Sequence, residues 1–404
     1  MNILIDQYSY HLPENKIAKY PLPQRDLSKL LVFKDNMIKE SVFKNISNYI
    51  PEGSHIIFNN TKVVPARLFF KKESGASIEI FCLEPHNPLE YNMSFDATCS
   101  CSWSAVVGNS KKWKGGVLLF NSRGDINAEE LNLKAELISK VDDKCIVKFY
   151  WDGGYSFSTV LDICGNIPIP PYLNRDTETI DNERYQTTYA KTKGSVAAPT
   201  AGLHFTSSVI DSLKLKGIKI SEVCLHVGAG TFIPVKSEDV INHKMHAETI
   251  SISHTELSSL YISLKNSIPI TCIGTTSIRT IESLYYFGCN IYKSGEPNTV
   301  TQWQPYNTEY KLTILEAIEE IINWMERRGI DKFQSKTEII IVPGFKFKIA
   351  NALVTNFHQP KSTLLLLIAS FIGNRWREIY DYSLNNNFRF LSYGDSSILF
   401  RNNS

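Results

Sequence analysis

Five short stretches of this 404-residue chain combine small side chains with one or two groups able to move a proton or hold an anion. They are GSVAAPTAGLHF (194–205), LHVGAGTFIPV (225–235), HKMHAE (243–248), GTTSIRTIES (274–283) and TNFHQPKST (355–363). Small residues let a ligand or a second backbone come close. The first stretch holds no Asp, Glu, Lys or Arg and ends on His204 and Phe205. Two readings stand for it: a tight, half-buried connection with His204 as a satisfied core histidine, or a backbone-lined pocket into which His204 points.

The other stretches carry similar alternatives. In 274–283 an apolar run, ITCI, meets Gly274, Thr275 and Thr276, and a helical pattern with Arg279 follows. A strand–glycine–hydroxyl–helix junction presents free N–H groups and the positive end of a helix dipole, which suits a carboxylate or phosphate; the plainer reading makes Thr275 or Thr276 an N-cap. A nucleoside-triphosphate loop would need GxxxxGK[ST], which is missing. After the apolar strand that ends at His226, Gly228 and Gly230 let the backbone approach a planar ring or a ribose, but Pro234 argues against a dinucleotide-binding turn. His243, His246 and Glu248 read as metal ligands, as a general acid or base, or as structural hydrogen-bonding groups. Asn356, His358 and Lys361 gather ahead of LLLLIASFIG and either cap that helix or touch an anion or a base edge. Asp395 in SYGDSS is a spare acid, and no GxSxG elbow exists for a serine hydrolase.

These groups need elements to place them. KLLVF (29–33), HIIF (55–58), IKISEVCL, IPITCIG, EIIIV (338–342) and NALVT read as buried strands. Helices are expected over 205–217, after the capping pattern Ser253/Glu256, and through Leu315, Ile318, Ile322 and Met325 to Gly329. Between 68 and about 149, short β-like runs (IEIFCL, GVLLF, KCIVKFY) alternate with polar turns, the texture of a small all-β module. The fold class is therefore α/β: a larger α/β domain (1–67 and 151–404) with an inserted small antiparallel β-barrel domain (68–150). Residues 286–310 read as a polar surface excursion.

Composition bounds the rest. Hydrophobic residues make up 43% and charged ones 21%, ordinary for a soluble globular protein. A net charge of +2 leaves a nucleic-acid partner only a local basic patch. None of the eight cysteines makes a CxxC pair, so no structural zinc site is expected. The N-terminus lacks a secretory pattern, and the longest apolar run (364–372) is far shorter than the ~18 residues of a span. A reducing cytoplasm is the expected compartment, with no membrane contact, and a monomer is the default.

Taken together with YSYHLPENKIAKYPLPQRDLSKLLVF (8–33), FNNTKVVPARLF (58–69), GNIPIPPYL (165–173), ERYQTTYA (183–190) and RFLSYGD (389–395), the small-residue stretches resemble the S-adenosylmethionine:tRNA ribosyltransferase-isomerase family of queuosine biosynthesis. The matches run in order along nearly the whole chain. Lys29, Gln359 and Ile233 depart from the family pattern, and extra length is expected around 285–335.

The resemblance implies an α/β domain paired with a small β-barrel. It implies transfer and isomerisation of the ribosyl part of S-adenosylmethionine onto 7-aminomethyl-7-deazaguanine at the tRNA wobble position. Epoxyqueuosine forms, adenine and methionine are released, and no metal or redox cofactor is expected. Such chemistry needs a base for the carbon beside the sulfonium and an acid for departing adenine, and histidine suits both. His204 and His226 are the first candidates, with His246, Glu248 and Asp395 behind them. Ala198, Pro199, Thr200, Gly202, Gly228 and Gly230 would lie against the nucleoside. Thr275, Thr276 and Arg279 would hold the methionine carboxylate, with Asn356 and His358 nearby. For tRNA the candidates are Arg67, Arg184, Lys191, Lys193, Lys346, Lys348 and Lys361, with Tyr172 or Phe357 as a stacking shelf.

Overall fold

A computed structural model describes residues 3–72, 74–121, 126–141, 144–228, 235, 237–307 and 309–401. Nine strands form one sheet in the order Lys332–Thr337, Glu248–Ser253, Lys219–Leu225, His55–Asn59, Ile270–Ile273, Ala352–Asn356, Ser396–Phe400, Lys29–Lys34, Met37–Val42. The four central strands, from Lys219–Leu225 to Ala352–Asn356, are mutually parallel. Three of these are buried at every position and the fourth along its final residues, as expected of parallel strands covered on both faces. Their carboxyl ends all open toward one edge, which is where open α/β sheets bind ligands.

Six further strands close an antiparallel barrel in the order Lys144–Tyr150, Ser100–Gly108, Ser77–Asn87, Arg67–Lys71, Val117–Phe120, Lys134–Val141. Strict alternation of burial along Lys144–Tyr150 is the signature of a strand with one face in a core. The helix Phe157–Cys164 plugs this core: Phe157 packs on Trp103, Phe149 and Trp151 at centroid distances of 5.6, 5.4 and 5.3 Å. A two-way backbone pairing of Arg67 with Asn166 closes the neck where the chain leaves and returns.

Two expectations change. EIIIV (338–342) forms no strand; the strand is the preceding Lys332–Thr337. Ile339, Ile340, Ile341 and Val342 are all buried, so the run is as apolar as a strand, but its polar backbone is satisfied elsewhere. Tyr306 Oη donates to Ile340 O (3.0 Å) and accepts the N–H of Val342 (2.9 Å). Nor is 286–310 a surface excursion throughout. The helix Gly274–Ser294 continues through it, burying Tyr286, Phe287, Gly288, Cys289 and Ile291. Polar residues from Asn290 onward mask this apolar face in the sequence.

That long helix packs on Ile314–Arg328, which starts at a Thr313/Glu316 capping box and stops at Gly329 in the left-handed conformation. The two backbones meet at Gly288, where an added Cβ would lie 2.0 Å from the carbonyl oxygen of Ala317. The fully buried Glu282 accepts N–H groups of Lys348, Ile349 and Ala350, tying the helix to the chain that enters strand Ala352–Asn356. Both anchors hold the amino end of Gly274–Ser294 at the sheet edge.

Alanine is favoured over glycine inside a helix by about 1 kcal/mol. Overlap with an immobile backbone costs about 1–3 kcal/mol or more. Gly288→Ala is therefore expected to lower stability, read as an earlier midpoint in urea unfolding; a later midpoint would show that the two helices are not in close contact.

Candidate active site

At the carboxyl edge of the parallel strands, the small-residue stretches come together. Residues 192–195 pair in parallel with Thr61–Val63, and Val196 N–H donates to Val227 O at 3.1 Å. Ser195 Oγ accepts the N–H of Val227 (3.0 Å) and donates to Ala197 O (2.7 Å), so its hydroxyl stitches the first stretch to the second. Gly274 (φ +87°) turns strand Ile270–Ile273 directly into its helix.

The result is two adjoining cavities of about 700 and 850 Å3, sharing Val227, Thr275, Thr276 and Leu364 as a common wall. Ala198, Pro199, Thr200, Asn356 and His358 line the first. Gly228, His243, His246, Glu248 and Arg279 line the second. A third cavity of about 420 Å3 lies between barrel and sheet and shares Gly228, His246 and Glu248 with the second; His226, Glu84 and Tyr91 complete its chemistry. Tyr91, from the barrel insertion, stacks on His226 at 4.5 Å. Gly194 makes room for that stack, since an added Cβ would sit 2.6 Å from the imidazole.

Polar atoms without partners point to a ligand. Buried polar groups are nearly always hydrogen-bonded, and exceptions cluster where something else binds. Among the described residues, Thr276 Oγ1 and Asn356 Oδ1 are buried and unpaired on residues lining the first cavity, and so is Arg279 Nη2 on the second. Arg279 pairs with Glu248 through Nη1 and donates from Nε to Ile339 O (3.3 Å). Glu248 also accepts the N–H of Gly228 (3.3 Å), so both its oxygens are in use. The helix beginning at Gly274 has no side-chain N-cap: neither Thr275 nor Thr276 takes that role. Its first N–H groups stand at the wall between the cavities, where a helix end favours negative charge.

The histidines differ. His226 bonds through Nδ1 to Thr61 Oγ1 (3.1 Å), and burial pushes its pKa down to about 4. His358 pairs with Thr355 Oγ1 (2.8 Å) and is pushed down to about 3 by burial. His204 lines neither large cavity. Its Nδ1 bonds Ser28 Oγ (2.8 Å), Asn356 Nδ2 donates to its Nε2 (3.3 Å), and burial lowers its pKa to about 4. It thereby orients the Asn356 amide, leaving Oδ1 for the cavity.

Other expected site residues stand apart. Asp395 is buried and occupied by the backbone N–H groups of Lys29 and Arg389 and by the Arg389 guanidinium. Arg67 pairs with Glu79 on the barrel, and Lys361 with Asp6. At Gly202 an added Cβ would lie 2.0 Å from Tyr189 Oη, a close-packing position. Gly230 falls outside the described residues. Tyr172 and Phe357 both line the first cavity, Tyr172 with its hydroxyl bonded to Ser392 and Phe357 packed against Tyr380, Phe388 and Phe390. Tyr185, Ser392 and Leu364 are lining residues the individual motifs did not single out. Among the described residues no group of three His, Cys, Asp or Glu side chains is placed to hold a metal ion, nor is any helix long and apolar enough to cross a membrane.

A family model described as queuosine biosynthesis protein matches residues 5–399. The chain is 34% identical over 399 residues to the S-adenosylmethionine:tRNA ribosyltransferase-isomerase of Sulfurihydrogenibium sp. (strain YO3AOP1), covering 98% of this chain and 99% of that one. It is 35% identical over 396 residues to the protein of the same name from Clostridioides difficile (strain 630), covering 97% and 98%. The excess length expected around 285–335 is not seen against these relatives, whose spans nearly equal this one. A crystal structure of an S-adenosylmethionine tRNA ribosyltransferase from Thermotoga maritima matches at 26% identity over 98% of this chain and all of that chain, with a TM-score of 0.47.

The buried neutral histidines make stability depend on pH. An unfolded histidine titrates near 6.5, whereas folded His204 and His358 stay neutral down to about 4 and about 3. Below pH 6.5 the unfolded chain therefore binds protons that the folded rings refuse. Their support is complete above that pH and is lost as pH falls toward the folded values. Between pH 7.5 and 5, stability should drop by about 2 kcal/mol for each of these two residues. Urea unfolding at both pH values measures the drop, and His204→Asn should remove one residue's share. No drop at all would mean the rings are solvated.

Proposed function

The chain belongs to the queuosine biosynthesis protein family and is an S-adenosylmethionine:tRNA ribosyltransferase-isomerase; we propose that its adjoining cavities hold S-adenosylmethionine, and that the acceptor is tRNA carrying 7-aminomethyl-7-deazaguanine at the wobble position. The observation that carries the site is the buried, unpartnered Nη2 of Arg279 beside an uncapped helix end. These are the groups a carboxylate requires, and they assign the methionine end to the second cavity. The adenosyl end then lies in the first cavity against Ala198 and Pro199, within reach of Thr276, Tyr185 and Asn356. The sulfonium falls at the shared wall.

Three tasks follow. A base takes the proton from the carbon beside sulfur. His246, at the junction of the second and third cavities, and His226, in the third, are assigned to this step. Glu248, with both oxygens occupied, holds Arg279 instead. Departing adenine needs a proton donor in the first cavity; burial keeps the Tyr185 hydroxyl protonated there, beside Ser392. The aminomethyl base approaches through the third cavity, where Glu84 and the Tyr91–His226 stack meet it. Holding three reacting parts in one cleft lowers the entropic share of the barrier. S-Adenosylmethionine is consumed as a substrate, and the reaction so drawn uses no resident metal or redox group. The proposed compartment is the cytoplasm, with a monomer as the working unit.

Incubating the protein with S-adenosylmethionine and tRNA carrying 7-aminomethyl-7-deazaguanine should yield epoxyqueuosine by mass spectrometry of digested nucleosides, with adenine released. Equal activity on the free base without tRNA would favour a small-molecule transferase instead. Arg279→Lys retains a cation for Glu248 but loses the free donor. Removing one charge-assisted hydrogen bond is worth about 1.5–3 kcal/mol, so KM for S-adenosylmethionine should rise about tenfold to a hundredfold. An unchanged KM would remove the carboxylate from this position.

A further inference from the structure

Beside the first cavity lies a smaller pocket of about 280 Å3 with three guanidinium groups in its lining: Arg25, Arg184 and Arg389. Ser392 belongs to both spaces, so the pocket adjoins the proposed nucleoside site. Four of the other basic residues expected to meet RNA behave differently. Lys191, Lys193, Lys361 and Arg67 each have a carboxylate of their own, Glu222, Asp162, Asp6 and Glu79. Arg25 and Arg184 form no ion pair among the described residues.

Their donors instead hold the loop in place. Arg25 donates to the carbonyls of Gln186 (2.6 Å), Leu203 (3.3 Å) and Glu183 (2.9 Å). Arg184 donates to those of Leu22 (2.6 Å) and Pro23 (3.2 Å). Carbonyls fix geometry but cancel no charge. Arg184 Nε is buried and unpartnered. The nearby acids are engaged: Asp395 with Arg389, and Asp181 with Arg175 and the Tyr393 hydroxyl. Glu183 is the exception: it favours the charged form of Arg25 from outside the pocket, and no carboxylate stands among the described residues lining the pocket. Burial and the neighbouring Arg184 charge disfavour the charged form of Arg25 more than Glu183 and Tyr393 favour it, and a bound anion would favour it further.

We propose that Arg25, Arg184 and Arg389 form a pocket for one phosphate of the RNA backbone flanking the modified nucleotide, on the adenosyl side of the cleft. This rests on tRNA being the acceptor. Rigid guanidinium groups suit phosphate oxygens better than flexible lysines do. A phosphate anchor beside the adenosyl cavity would hold the strand next to the splayed nucleotide while its base enters through the third cavity, since sequence-specific RNA recognition targets splayed, single-stranded bases.

The test uses the full-length protein and an anticodon stem–loop RNA carrying 7-aminomethyl-7-deazaguanine. In one series each backbone phosphate near the modified base is replaced in turn by an uncharged methylphosphonate. One position should weaken binding to the unsubstituted protein about tenfold. In Arg184→Gln the affinity for unmodified-backbone RNA should fall by a similar factor. The methylphosphonate at that position should then cost nothing further, and the slope of log affinity against log salt should flatten by ~0.7 for the lost contact. The KM for S-adenosylmethionine should move less than twofold. If Arg184→Gln fails to fold, the phosphonate series alone decides. Binding with no sensitive phosphate overturns the pocket while leaving the enzyme's function intact, because turnover of full-length tRNA is measured separately. No RNA binding and no turnover overturns the functional reading and the pocket together.

Discussion

The buried pair of Arg279 and Glu248 is the contact on which the site turns. Desolvating two such charges costs several kcal/mol each, and only close pairing with further hydrogen bonds repays it. Here the pair joins elements from three parts of the chain. Arg279 comes from the long helix, Glu248 from a strand near the sheet edge, and Gly228 adds a backbone donor to the carboxylate. Among the described residues the geometry leaves one guanidinium nitrogen without a partner, on a side chain that lines a cavity. A purely structural ion pair has no reason to keep that donor idle.

Around this contact the fold is arranged to hold backbone still. Ser195 fastens one small-residue stretch to another through its hydroxyl, and Asn59 does the same one strand further in, accepting from Leu225 N–H and donating to Leu225 O at 3.1 Å each. Glu282 and Gly288 anchor the far reaches of the helix whose first turn lies at the cavity wall. The barrel reaches the site through Tyr91, whose ring covers His226. It thus supplies one wall of the third cavity as well as a separate core. A ligand gripped mainly by main-chain groups needs such rigidity, because backbone donors cannot swing to follow it.

Much of this was legible in the chain. The central strands, the barrel texture and the helix ending at Gly329 follow from apolar periodicity and capping chemistry, which are local. The small-residue stretches marked the cavities because a cavity lined by backbone needs small residues wherever it occurs. The misreadings share a cause. EIIIV is apolar enough for a strand, but whether it pairs with a neighbour depends on Gln302 and Tyr306, some forty residues away. The segment after Tyr285 looked polar because half its residues face water; the other half is buried only because a second helix lies over it.

The sequence by itself determined the fold class, the family and the set of stretches that meet at the sheet edge, since each depends on residue type and short-range order. Only the tertiary structure decided how the polar groups divide the work. Five histidines and acids of similar appearance were separated into a cavity face (His226, His246), a pairing role (Glu248), a hidden support for Asn356 (His204) and a structural anchor (Asp395). The physical reason is that burial and hydrogen-bond partners set what an ionisable side chain can do, and both come from residues distant in the chain. The same holds for arginines: Arg67 and Arg184 look alike in sequence, yet one has its own carboxylate and the other stands in a pocket without one.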